Sequence, residues 1–131
     1  MGTFKMRMEI ASTPEGPFRG MYALVDTGTF YSWVPGRILR ELNIKPMDSM
    51  DFQLANGDII QRERFEVVVR LNDQTIHTIC VAAEAKDHTL LGAYTLEGLA
   101  VAVDPVKKRL IPLSPLPAMT IRVQVSEPRP H

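Results

Sequence analysis

Phe65, Val67, Val69 and Leu71 alternate with Arg64, Glu66 and Arg70. Period two marks a strand with one face in the core. Asn72-Asp73 then turns the chain, and Thr75 to Ala83 predicts the returning strand. The same period appears at Phe4, Met6, Met8 and Ile10, set against Thr3, Lys5, Arg7 and Glu9. Residues 3–10 therefore predict a half-buried strand, and residues 19–25 another after the turn-rich stretch at 12–17.

Further hairpins complete the pattern. Asn56-Gly57 predicts a type I′ turn, because both residues tolerate positive φ. Asp104 to Lys108 lies between strand-like runs at 100–103 and 109–113. Ile121, Val123 and Val125 predict a last strand, with 127–131 frayed. Helix signals are short: Pro35 to Leu42, with Pro35 at the first helical position, and Ala93 to Gly98, capped by Gly98. Hairpin after hairpin with no long helix predicts an all-β, mostly antiparallel fold.

A chain of 131 residues predicts one domain spanning 1–131. Its 45% hydrophobic content suits a packed core. Fifteen basic and fifteen acidic residues give no electrostatic reason for a nucleic-acid or membrane partner. One cysteine, Cys80, cannot form an internal disulfide and predicts a small core residue. Lys5, Arg7 and Glu9 interrupt any signal-like apolar run, so a cytoplasmic location is expected. His77, His88 and His131 share no metal-ligand spacing, and no metal or other cofactor is expected. Trp33 reads as core rather than as the wall of a site.

One stretch carries chemistry. Ala23-Leu24-Val25 is an apolar run that ends in Asp26-Thr27-Gly28-Thr29, after which apolar residues resume. A carboxylate at the end of a buried strand costs free energy unless donors surround it. Thr27 offers a hydroxyl, and Gly28 a backbone that can approach closely. This stretch resembles the active-site loop of aspartic peptidases. About sixty residues later comes Thr89-Leu90-Leu91-Gly92, which resembles the second signature of that clan. In this order the two are similar to a retropepsin-like (clan AA) single-domain aspartic peptidase of bacterial or cellular type, over roughly residues 21–113.

The resemblance implies a closed β-barrel of the acid-protease fold with one or two short helices. It implies Asp26, Thr27 and Gly28 as the catalytic loop. It makes the hairpin tipped by Asn56, Gly57 and Asp58 a flap, which with Thr29 would contact substrate. Leu90, Leu91 and Gly92 would support the loop from below. Carboxylate hydrolysis needs two carboxylates close together, sharing a proton. The chain has a single Asp-Thr-Gly, so a second copy must supply the other, and a symmetric homodimer acting on a peptide or protein is expected. Residues 3–10 and 119–125, or the hairpin at 100–113, are the expected interface.

The sequence departs from the viral pattern. Thr29 stands where viral members carry alanine, and its hydroxyl could donate to the carboxylate. Ala93-Tyr94 replaces a polar pair after the glycine, the flap tip is less glycine-rich, and a tail of eighteen residues follows Leu113. Two other readings stand beside the peptidase: a dimerising or peptide-binding module without turnover, and a β-barrel carrying a chance motif.

Overall fold

The computed structural model describes residues 3–113. The strand expected at Ile121, Val123 and Val125 lies outside the described residues. The elements run β1 (Lys5–Ala11), β2 (Arg19–Val25), β3 (Ser32–Pro35), α1 (Gly36–Glu41), β4 (Asp48–Gln53) and β5 (Ile59–Leu71). They continue with β6 (Gln74–Ala83), β7 (Leu90–Leu91), α2 (Ala93–Gly98), β8 (Val101–Asp104) and β9 (Arg109–Pro112).

The main sheet has the order β1-β2-β7-β3-β6-β5-β4. β1 also pairs with β5 through Glu9↔Arg70, Ile10↔Val69 and Ala11↔Val68, so the sheet returns on itself as a ring of strands. Among the described residues β4 pairs only with β5 and forms the outer edge. Its side chains are almost all exposed, and Asp48 and Asp51 put charge along it, which discourages edge-to-edge pairing. Most pairings are antiparallel. The exceptions are β2 with β7 and β3 with β6. β8 and β9 form a separate ribbon.

The alternating residues fill the ring. Met8, Ile10, Phe65, Val69 and Leu91 are fully or almost fully buried and pack with Val25, Val34 and Leu39 in one cluster. Each such side chain contributes about 1.5–3 kcal/mol relative to exposure. Cys80 belongs to the same cluster, and burial pushes its thiol up to about 12. The thiolate is therefore scarce, and Cys80 is a packing residue.

Three local expectations change. Pro35 ends β3 and sits at the N-cap of α1, rather than inside the helix. Gly98 is not a left-handed cap: Leu99 follows the helix and Ala100 takes φ +56°. A Cβ on Gly98 would come within 2.2 Å of Ile76 Cδ1, the end of a side chain that can shift to make room. The Asn56-Gly57 turn is not type I′, because Asn56 has no positive φ while Gly57 has +94°. Gly57 N donates to Leu54 O at 2.9 Å, and Leu54 N to Asp58 O at 2.8 Å. This is a three-residue loop with Gly57 at the bulge position. The two-residue turn with both φ positive occurs at Asn72-Asp73, between the paired Leu71 and Gln74.

Candidate active site

β7 lies between β2 and β3, the two strands that flank the Asp26 loop. Val25 pairs with Leu91, and Asp26 N donates to Leu91 O at 3.0 Å. Trp33 pairs with Leu90 from the other side. The two sequence motifs therefore meet as backbone, and Leu91 is fully buried beneath the loop.

Asp26 is half-buried, and both of its carboxylate oxygens receive donors from its own loop. Gly28 N–H donates to Oδ1 at 2.9 Å, and Thr29 Oγ1 donates to Oδ2 at 3.2 Å. Thr29 N donates to Asp26 O at 3.2 Å and closes the turn. A Cβ on Gly28 would sit 3.2 Å from Asp26 Oδ1, tighter than ordinary packing. Thr27 is exposed.

The loop is stapled from below. Ala93 N donates to Thr29 O at 2.8 Å, and Tyr94 N to Phe30 O at 2.9 Å. Gly92 N donates to Ser32 Oγ at 2.9 Å, and Ser32 Oγ lies 2.8 Å from Thr95 Oγ1. Ser32 and Thr95 are fully buried, so these hydroxyls satisfy polar groups that water cannot reach. A Cβ on Gly92 would meet Tyr31 O at 2.5 Å, so only glycine allows this approach.

A groove of about 920 Å³ opens beside the loop. Gly28, Thr29 and Phe30 line one side, and Met50, Phe52 and Leu54 of the β4 hairpin line another. Trp33 stands in its wall, with its ring 5.3 Å from that of Phe52, so the expectation that it is core is corrected. Phe30 is 55% exposed and stacks on Tyr94 at 5.1 Å. Tyr31 accepts a hydrogen bond from Arg64 Nη1 at 2.8 Å. Arg64 also donates to both oxygens of Asp48, at 2.8 and 2.5 Å. Hydrogen bonding to Arg64 holds the Asp48 carboxyl below its ordinary value, and the Asp48 partner holds Arg64 above its own.

Asp26, Thr27, Gly28 and Thr29 thus share one loop, and Leu90, Leu91 and Gly92 lie against it. Asn56, Gly57 and Asp58 stand exposed at the hairpin tip, where Asn56 Oδ1 accepts from Asp58 N at 2.9 Å. Their neighbours Leu54 and Ala55 reach the groove, and the three tip residues do not line it. Sequence reasoning missed Ser32 and Thr95. Their one signal was a hydroxyl within the apolar stretch that follows each of the two motifs.

No protein-family model matches this sequence, and no curated protein matches it. Solved structures do share its architecture. The protease of simian foamy virus (mac) aligns over 72% of this chain and 92% of its own, with a TM-score of 0.52 at 18% identity. The retroviral protease-like domain of Ddi1 from Leishmania major aligns over 85% and 97%, with a TM-score of 0.52 at 15% identity. The ring of strands and the buttressed Asp-Thr-Gly loop define a retropepsin-like aspartic-protease fold. Among the described residues no helix is long and apolar enough to cross a membrane.

Proposed function

We propose that this chain is an aspartic endopeptidase that acts as a symmetric homodimer, with one Asp26 from each copy meeting on the two-fold axis. The observation that carries the reading is the Asp26 carboxylate itself. It is half-buried, held by Gly28 N–H and Thr29 Oγ1, and set beside an aromatic-lined groove.

Two carboxylates about 3 Å apart cannot both ionise and share one proton. The ionised Asp26 takes a proton from a water lying between them. That water's oxygen attacks the peptide carbonyl carbon, while the other Asp26 gives its proton to the carbonyl oxygen. The tetrahedral intermediate then collapses and the C–N bond breaks. The Asp26 that took the water proton gives it to the leaving nitrogen, and the other Asp26 regains its proton from the intermediate's hydroxyl. Gly28 N–H holds each charged carboxylate in place without competing as a base. The aromatic wall at Trp33 and Phe52 takes apolar side chains and excludes water. The β4–β5 hairpin is the segment that closes over a bound peptide.

Asp26→Asn tests this directly. The change is nearly isosteric, so the folded chain and its association, followed by sedimentation, stay close to wild type. Cleavage of an unstructured protein, assayed from acid to neutral pH, is lost, because general base and shared proton are gone. A variant that cleaves as fast as wild type rejects the assignment. A wild type that stays monomeric while fully active rejects the dimer.

A further inference from the structure

Three basic side chains and one acidic side chain line the groove: Arg62, Lys86 and His88 against Asp87. Arg62 and Asp87 answer each other. Arg62 Nε donates to Asp87 Oδ2 at 2.8 Å, and Nη2 donates to Oδ1 at 3.3 Å. Arg62 Nη1 donates to Gln61 O at 2.9 Å. The Arg62 and Asp87 side chains are 7% and 14% exposed. Lys86 and His88 are exposed, and among the described residues neither forms an ion pair. The one acidic group on the groove is thus already matched, and two basic groups on it are not.

The loop between β6 and β7 that carries them is held from within. Asp87 N donates to Glu84 O at 2.9 Å, and Glu84 N donates to Asp87 Oδ2 at 2.8 Å. The two-pronged contact with Arg62 adds a fixed geometry that admits little play. Lys86 and His88 therefore flank an anchored residue, which lowers the ordering cost of any ligand they hold. Away from this loop the lining is largely apolar, with Trp33, Met50, Phe52, Ile60 and Leu90. We infer that Lys86 and His88 give the groove a basic end and select a peptide that carries an acidic side chain among apolar ones. The inference rests on the reading of the groove as a peptide site and names its substrate class. Selection acts through charge, and neither residue takes part in the chemistry at Asp26.

Peptides that differ only in Glu against Gln test it, with the pair placed in turn at each position flanking the cleaved bond. Acetylated and amidated ends leave the Glu side chain as the one variable carboxylate. The assay runs at about pH 5.5, where a Glu side chain in a peptide is ionised. Reduced-amide forms, which cannot be cleaved, report binding. Trp33, the only tryptophan in the chain, lines the groove, so its emission reads occupancy without turnover.

At low salt the wild-type kcat/KM ratio of Glu to Gln is about fivefold at one position, the upper scale for exposed charge pairs. It shrinks in about 0.5 M salt, which screens such pairs. Lys86→Gln with His88→Gln brings the ratio close to one, while Lys86→Arg keeps it. The reduced amides show the same pattern in Kd. A wild type that prefers Glu at no position overturns the inference and leaves the peptidase reading in place. A double Gln variant that melts as a folded protein and keeps the wild-type ratio also overturns it. A Glu preference in binding without any cleavage upholds the basic end and removes the peptidase reading. Absence of both binding and cleavage in the wild type overturns both.

Discussion

The amide of Gly92 donates to the hydroxyl of Ser32 across sixty positions of sequence, at 2.9 Å. That bond joins the strand after Asp26 to the turn after Leu91. Ser32 Oγ also meets Thr95 Oγ1, so one buried hydroxyl serves two elements. Ser32→Ala leaves the buried Gly92 N–H without its acceptor, while Thr95 Oγ1 keeps Thr78 Oγ1 at 3.5 Å, and the orphaned amide costs about 1–3 kcal/mol. Urea unfolding of the variant shows that loss as a lower midpoint with an unchanged slope. On the proposed reading cleavage falls as well, because the turn at Gly92, which brings the Ala93 and Tyr94 amides to the Thr29 and Phe30 carbonyls, loses its anchor. Stability equal to wild type rejects this account.

Legibility followed the range of the interactions. The strands β1, β2, β5 and β6 were readable because alternation against one core face is a local pattern, and the bounds of β2 matched the expected 19–25. β7 has two residues, too few for any periodicity, and its place between β2 and β3 is set by chain folding over long separations. β4 does alternate, Met50 and Phe52 against Ser49, Asp51 and Gln53, but it is an edge strand whose apolar face lines the groove instead of the core. Asn56-Gly57 carried the right residues for a hairpin, yet loop length selected a bulge instead of the type I′ turn. Asp26 was legible because a carboxylate ending an apolar run demands donors. Arg62 and Asp87 were not, since nothing in a sequence pairs two charges twenty-five positions apart.

Acid stability depends on the Arg62–Asp87 ion pair. Burial alone pushes the Asp87 carboxyl up, but hydrogen bonds from Arg62 and from Glu84 N, with the Arg62 charge, hold it below the ordinary 3.8. A carboxyl lowered on folding stabilises the folded state above its unfolded value, and that stability is lost as pH falls through the folded value. Asp87→Asn is therefore about 3 kcal/mol less stable than wild type at neutral pH, because it weakens the partner of a buried charge. The gap narrows once pH drops below about 3.8. Thermal melts of both proteins across that range check it. A gap that widens in acid contradicts the sign. Glu9 and Asp48 are lowered too, through Arg70 and Arg64, and add the same slope to both proteins.

Thr29 Oγ1 donates to Asp26 Oδ2 and helps to fix the orientation of the carboxylate. Thr29→Ala removes that donor and leaves the Gly28 N–H, so on the proposed reading kcat/KM for a peptide falls while the Tm stays close to wild type. A variant with wild-type kcat/KM counts against a role for the hydroxyl.

The hairpin tip separates a moving flap from a passive turn. Gly57 has φ +94°, and a Cβ built there meets nothing within 4 Å. Substitution is therefore resisted by backbone conformation alone, with no crowding. A β-branched residue in the left-handed region costs about 1–2 kcal/mol. Leu54 and Ala55, next to the tip, line the groove, so a distorted turn misplaces groove residues. The hydrogen bonds Gly57 N to Leu54 O and Leu54 N to Asp58 O carry that distortion directly. Gly57→Val should thus raise KM for a peptide and weaken a pepstatin-type inhibitor by about tenfold, while Tm falls only slightly, because the exposed tip adds little to the core. Gly57→Asn is the control, since asparagine tolerates positive φ and keeps most of the affinity. Melting, inhibitor affinity and kcat/KM are measured on the same samples. Losses in Tm that match the losses in binding would make the hairpin a structural element only.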